Sequence, residues 1–142
     1  MLMKKAGILL GLFAVLLAGC NPPNVTNSSP KEALPSLITL TCNPDFRFEP
    51  CQNMQFNKPD EIRMFVEAIE EAEIIPGNMN YVAQYKMNIM NKDDSLMKYD
   101  FSIGSDPEMK ALLVNHEDTT TGYSISIQDA NRIRKLIQSH TD

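Results

Sequence analysis

Gln84-Tyr85-Lys86-Met87-Asn88-Ile89-Met90 alternates polar and apolar side chains, and beyond the polar run Asn91-Lys92-Asp93-Asp94 the segment Met97-Lys98-Tyr99-Asp100-Phe101-Ser102-Ile103 does so again. A period of two puts Tyr85, Met87 and Ile89 on one strand face and Gln84, Lys86 and Asn88 on the other. Asn and Asp tolerate the tight backbone of a turn, so the two segments read as a hairpin with one apolar face. Downstream, Ala111 to Asn115 is a short apolar third strand, and Thr119 to Gly122 turns the chain into a fourth that carries Tyr123, Ile125 and Ile127. Upstream, Ser36 to Thr41 is β-branched and apolar and fits a first strand, while Phe46, Phe48, Met54 and Phe56 alternate more weakly.

The period changes between Asn57 and Glu73. Ile62, Phe65, Val66, Ile69 and Ala72 recur at steps of three and four, which places one apolar stripe along a helix. Asn57 is the expected cap, Pro59 suits the first turn, and Asp60 and Glu61 favour the positive helix end. Ile74-Ile75-Pro76-Gly77-Asn78 reads as the helix stop. A second helix closes the chain from Ser126 or Asp129, with Ala130, Ile133, Leu136 and Ile137 as its stripe and Ser126-Ile127-Gln128-Asp129 as a capping box. The expected fold is therefore a two-layer α+β domain: an antiparallel sheet of about five strands in the order β-α-β-β-β-β-α, both helices on its apolar face. The polar sheet face is expected to meet solvent or a partner.

The N-terminus reads as an address. Lys4 and Lys5 precede an apolar run from Ala6 to Ala18, the composition of an export signal. That run is too short for a membrane span, which needs about 20 apolar residues. Leu17-Ala18-Gly19-Cys20 resembles the lipobox of bacterial lipoproteins at each position, which implies diacylglycerol on the Cys20 thiol and cleavage before it. The expected division is a signal peptide over 1–19, a lipidated Cys20 and Asn-, Pro- and Ser-rich tether over 20–35, and one small domain over 36–142. The protein would then sit at the cell membrane on its extracytoplasmic side, anchored rather than spanning. The net charge of -5 includes Lys4 and Lys5, no basic block occurs elsewhere, and nucleic acid is not an expected partner.

With Cys20 given to lipid, Cys42 and Cys51 are the remaining thiols. They flank Asn43-Pro44-Asp45-Phe46-Arg47-Phe48-Glu49-Pro50, a length easily closed as a loop, and outside the cytosol they are expected to form a disulfide. Two free thiols are the alternative reading; a metal site would need His or Cys nearby, and His116 and His140 are remote in sequence.

Catalytic patterns are sparse. The chain has no Gly-x-Ser-x-Gly, phosphate loop, His-Glu-x-x-His or dinucleotide fingerprint. His116 is expected at a strand end beside Glu117 and Asp118, and His140 in a frayed terminus, both solvated. Glu67, Glu70, Glu71 and Glu73 fall mainly opposite the helix stripe and read as a wet face rather than an acid pair. Asn91 to Ser95 lacks the alternating ligands and central Gly of a calcium loop. Met64, Met79, Met87, Met97 and Met109 are read mostly as packing, with Met90 on the polar phase as the exception.

From Phe56 to Ile137 the order of elements resembles the YhfM-like small lipoproteins of Gram-positive bacteria. The residues that carry the likeness are Asp60-Glu61-Ile62-Arg63-Met64-Phe65 with Ala68-Ile69 and Ala72, then Tyr85, Tyr99-Asp100-Phe101-Ser102-Ile103, and Tyr123-Ser124-Ile125 leading into Asp129-Ala130. The resemblance implies an anchored extracytoplasmic domain with no assigned enzymatic activity; the loop bearing Cys42 and Cys51 departs from it. The expectation is a non-enzymatic binding or interaction domain without cofactor or metal, using its sheet face or a sheet edge on a protein, peptide or cell-wall partner. The alternative is an inhibitor or accessory subunit of an envelope enzyme, acting through the Cys42–Cys51 loop. A third reading, a small-ligand carrier, requires a sizeable apolar pocket between sheet and helices.

Overall fold

The computed structural model describes residues 33–141. Nine elements follow one another: β1 (Leu37–Cys42), β2 (Met54–Phe56), α1 (Pro59–Glu70), β3 (Glu73–Pro76), β4 (Tyr85–Met90), β5 (Leu96–Ser102), β6 (Ala111–Asn115), β7 (Thr121–Ile125) and α2 (Ile127–Ser139). The strands form a single antiparallel sheet in the order β2-β1-β4-β5-β6-β7-β3.

The hairpin read first is its centre. Tyr85, Met87 and Ile89 stand opposite Phe101, Tyr99 and Met97. Asn91 N–H donates to Ser95 O at 2.9 Å, and Asp94 closes the turn with φ of 64°, a left-handed geometry that Asp tolerates better than most residues. Ile38 and Leu40 of β1 extend the apolar face opposite Ile89 and Met87. Phe56, Phe65, Met87, Phe101, Leu113, Ile125 and Ile133 are fully buried between sheet and helices, and the Phe56 and Phe65 rings lie 5.0 Å apart.

The sheet has seven strands rather than the expected five. β2 is three residues long, too short for alternation to stand out, and is held by pairing with β1. β3 occupies the segment read as a helix stop: α1 ends at Glu70, and Glu73 to Pro76 pairs with β7. Pro76 cannot donate to a ladder, which confines such a strand to a sheet edge, where β3 lies. Lys58, not Asn57, caps α1 and supplies no side-chain bond, while Pro59 takes the first position as expected. Ile127 opens α2 instead of extending β7; Ser126 caps that helix, its Oγ accepting from Asp129 N–H at 3.1 Å and donating to Asp129 Oδ2 at 2.7 Å.

The outer sheet face is less open than expected. Because β3 is at one edge and β4 lies near the centre, residues 77–84 strap across the strands between them. Gly77 and Met79 N–H donate to Thr120 and Thr119 carbonyls, Met79 rests against Gly122, and the Tyr81 hydroxyl donates to Asp100 O at 2.9 Å. A side chain at Gly122 would come within 3.2 Å of Met79 Cε, so the close crossing favours glycine there. On the outer phase of β6 and β7, Val114 and Ser124 are buried. Lys86, Asn88, Lys98 and Asp100 keep the polar character expected of this face.

Candidate functional site

The Cys42 end of the sheet carries the densest set of polar contacts. Cys42 and Cys51 are joined, with Cα atoms 5.8 Å apart. Around that bond, Cys42 N–H donates to Asn53 Oδ1 at 2.8 Å, Asn43 N–H to Gln84 O at 3.0 Å, and the Asn43 side-chain amide to Ala83 O at 2.9 Å. The loop base is thereby fixed to β4 and its approach. Its crest carries Phe46 and Phe48 edge to face at 5.4 Å, with Phe48 83% exposed. Glu49 accepts from the Ser105 hydroxyl at 2.8 Å, linking the loop to the chain after β5.

Between the loop, the β5 end and α2 lies an open cleft of about 300 Å³, walled by Pro50, Gln84, Gly104, Arg134 and Gln138 among others. Gln84 and Arg134 are buried. Gln84 Oε1 accepts from Gly104 N–H at 3.0 Å and Ile103 N–H at 3.4 Å. The Arg134 guanidinium donates to the carbonyls of Ile103, Gly104 and Met109 and to Asn131 Oδ1, all within 3.1 Å. Gly104 has φ of 59°, which suits glycine and lets the chain turn its carbonyl to Arg134 Nε. Burial lowers the Arg134 pKa against the opposing charges of Asp106 and Glu49, yet an arginine stays charged. These groups are committed to folding the chain, and the cleft walls contain neither His nor a free thiol.

Cys20 and the signal peptide over 1–19 lie outside the described residues, as does the tether as far as 32. His116 is on the outer face, its Nδ1 3.3 Å from Asp100 Oδ2, while Lys86 bonds the other Asp100 oxygen. His140 is not frayed: its ring stands edge-on to Phe56 at 4.8 Å, and Nε2 lies 3.0 Å from Glu61 Oε1. Burial raises the Glu61 pKa, but hydrogen bonds from His140 and Lys58 outweigh it and leave the carboxyl below its ordinary value.

The glutamate run is dispersed. Glu67 pairs with Arg132 of α2 at 3.2 Å, and Glu73, on β3, with Lys110 at 2.8 Å. Asn91 to Ser95 is the hairpin turn, with Asp93 Oδ1 accepting from Ser95 N–H and Oγ. Met87 packs as expected, but Met97 and Met109 join Met90 among the exposed apolar residues.

Sequence reasoning missed Gln84 and Arg134. Arg134 does carry a signal: it falls four residues after Ala130 and three before Ile137, within the apolar stripe, where a lone charge must find buried partners. Gln84 carries none, since its phase fits a solvated face.

At the opposite, Leu37 end, a second cavity of about 500 Å³ opens between α1 and the sheet. Among the described residues no helix is long and apolar enough to cross a membrane. No curated protein and no solved structure matches the chain. A family model described as YhfM protein matches residues 38–142, the whole of the described sheet from its second residue through α2. By that match over most of its length, the chain belongs to the YhfM protein family.

Proposed function

We propose that this protein is a lipid-anchored extracytoplasmic binding domain, held at the cell membrane through Cys20, that captures a protein, peptide or cell-wall partner without turning it over. The observation that carries this reading is Phe48, 83% exposed on a loop whose base is clamped by the Cys42–Cys51 bond and three hydrogen bonds. An aromatic side chain already held on a rigid base loses little freedom on binding, and aromatic anchors dominate interface energetics. A paired Cys42 and Cys51 also suits an oxidising compartment. The strap over the outer face and the short edge strands leave the sheet itself less room for a partner than the sequence reading expected.

Crosslinking in cells from the membrane-bound full chain tests this. Wild type is expected to recover a partner, Phe48→Ala to lower its yield about tenfold, and Cys20→Ala to release the protein from the membrane fraction. Undiminished yield from Phe48→Ala would move binding to the sheet. Turnover of a cell-wall or phosphoester substrate that vanishes with His116→Ala would sink the non-enzymatic reading.

The same loop supports a second reading, an inhibitor or accessory subunit whose Phe48 enters the cleft of an envelope enzyme. Its convex shape and clamped base favour insertion over reception. Deleting residues 44–49 while retaining both cysteines would abolish inhibition of the captured enzyme, and full inhibition by that variant would exclude the loop.

A further inference from the structure

Met97 is directly opposite Ile89 and shares the apolar phase of the sheet, yet Ile89 is 2% exposed and Met97 40%. Phe101 and Met87, farther from the hairpin turn, are fully buried, so the exposure begins at Met97. There the cavity of about 500 Å³ has a floor of Ile89, Met97 and Tyr99, a wall of Val66 and Ile69 from α1, and Leu34 beside them. Its rim is polar, with Glu70, Asn91, Lys92 and Asp93. An apolar interior with a few polar groups at the mouth, in this volume range, is the make-up of a small-molecule site.

Position says what fills it. Ser36 N–H donates to Met90 O at 2.8 Å, so the chain enters the fold at this same end. Cys20 is 13 residues before Ala33. Those residues span at most about 45 Å when extended, which bounds the distance from a lipid-bearing Cys20 to the cavity. A slot lined by hydrocarbon side chains, beside the residues at which the chain enters the fold and rimmed by Lys92, Asp93 and Glu70, can hold an apolar chain inside and leave its head in water.

We infer that this cavity takes one hydrocarbon chain of a membrane lipid drawn from the surrounding bilayer. The source of the ligand rests on the anchored reading above; the cavity does not. The anchored protein would lift or sense a single lipid chain beneath α1 while the disulfide end remains free for its partner.

The chain contains no Trp, so one introduced Trp reports alone. The full chain carrying Met97→Trp, in phosphatidylcholine vesicles with brominated acyl chains, is expected to be quenched at least about twofold more than Leu96→Trp, whose side chain is on the opposite face. Val66→Phe, added to narrow the cavity, is expected to remove that excess. Tyr99→Trp carries the same reading if Met97→Trp does not fold. Equal quenching at both faces would indicate surface contact alone and overturn the inference; absence of quenching from a chain with acylated Cys20 would also overturn it. The mass of the Cys20 peptide reads the anchor separately. If Cys20 is unmodified, brominated fatty acid added to the full chain in solution decides: excess quenching retains an acyl site but overturns the bilayer source, and none overturns both.

Discussion

At the Cys42 end of β1 the chain spends polar groups on its own structure, with the guanidinium of Arg134 satisfied by three carbonyls and Gln84 by two N–H groups beneath a bonded loop. At the other end of this six-residue strand, by Leu37, Met90, Leu96 and Met97 are exposed within eight residues, around a turn whose bonds are local. Among the described residues, the other large exposed apolar side chains, Phe48, Ile74, Val82, Met109 and Ile127, fall on five different segments. The contrast separates two uses of surface. One end is tied down by its own polar bonds and projects a single aromatic; the other leaves apolar side chains exposed.

The largest effect tests the rigid end. Arg134→Met strands the carbonyls of Ile103, Gly104 and Met109, and is expected to lower stability by about 3 kcal/mol in urea unfolding. A loss under about 1 kcal/mol would mean that water replaces the guanidinium and that this end is not rigid. The double change Cys42→Ser, Cys51→Ser comes next, at about 2 to 3 kcal/mol for a loop of this length, with Phe48 losing its fixed base.

Glu61 joins α1 to the C-terminus and gives a pH signature. Its folded pKa is depressed below the ordinary value of 4.5, so its contribution is present above that value and is lost as pH falls through the folded pKa. Glu61→Gln should flatten the acid limb of the stability curve and cost about 0.5 to 1 kcal/mol at neutral pH. An unchanged acid limb would show that the contact with His140 carries no linkage. Smallest is Leu96→Ser, expected within about 0.5 kcal/mol of wild type, because its side chain is exposed on the outer face, away from the core. A loss above about 1.5 kcal/mol would assign that end to the core and erase the contrast.

The centre of the fold was legible because Tyr85 to Ile103 alternates over two long strands joined by a polar turn. β2 was not, since Met54, Gln55 and Phe56 provide a single alternation that pairing alone makes a strand. Ile74-Ile75-Pro76 obeys the rules for a helix stop, and an edge position makes the same residues a strand. The run Ala111-Leu112-Leu113-Val114 did hold a hint of the strap: apolar residues on both phases mark a strand covered on both faces. At the candidate site, Cys42, Cys51 and the intervening loop could be read from spacing, and Arg134 from its intrusion into an apolar stripe. The Gln84 contacts and both cavities depend on segments remote in sequence and left no local trace.

The strap over 77–84 also divides the chain in an unusual way. Residues before it supply β1 and β2 at one edge and β3 at the other, while residues after it supply the uninterrupted β4 to β7 meander between them. The first half therefore clasps the second from both sides. Cutting the backbone at exposed Asn78 would yield two fragments with no separable halves to drift apart, held by the β1–β4 and β3–β7 pairings. Each fragment would be the template on which the other completes its sheet, so reconstitution from two separately made polypeptides is built into the order of the strands.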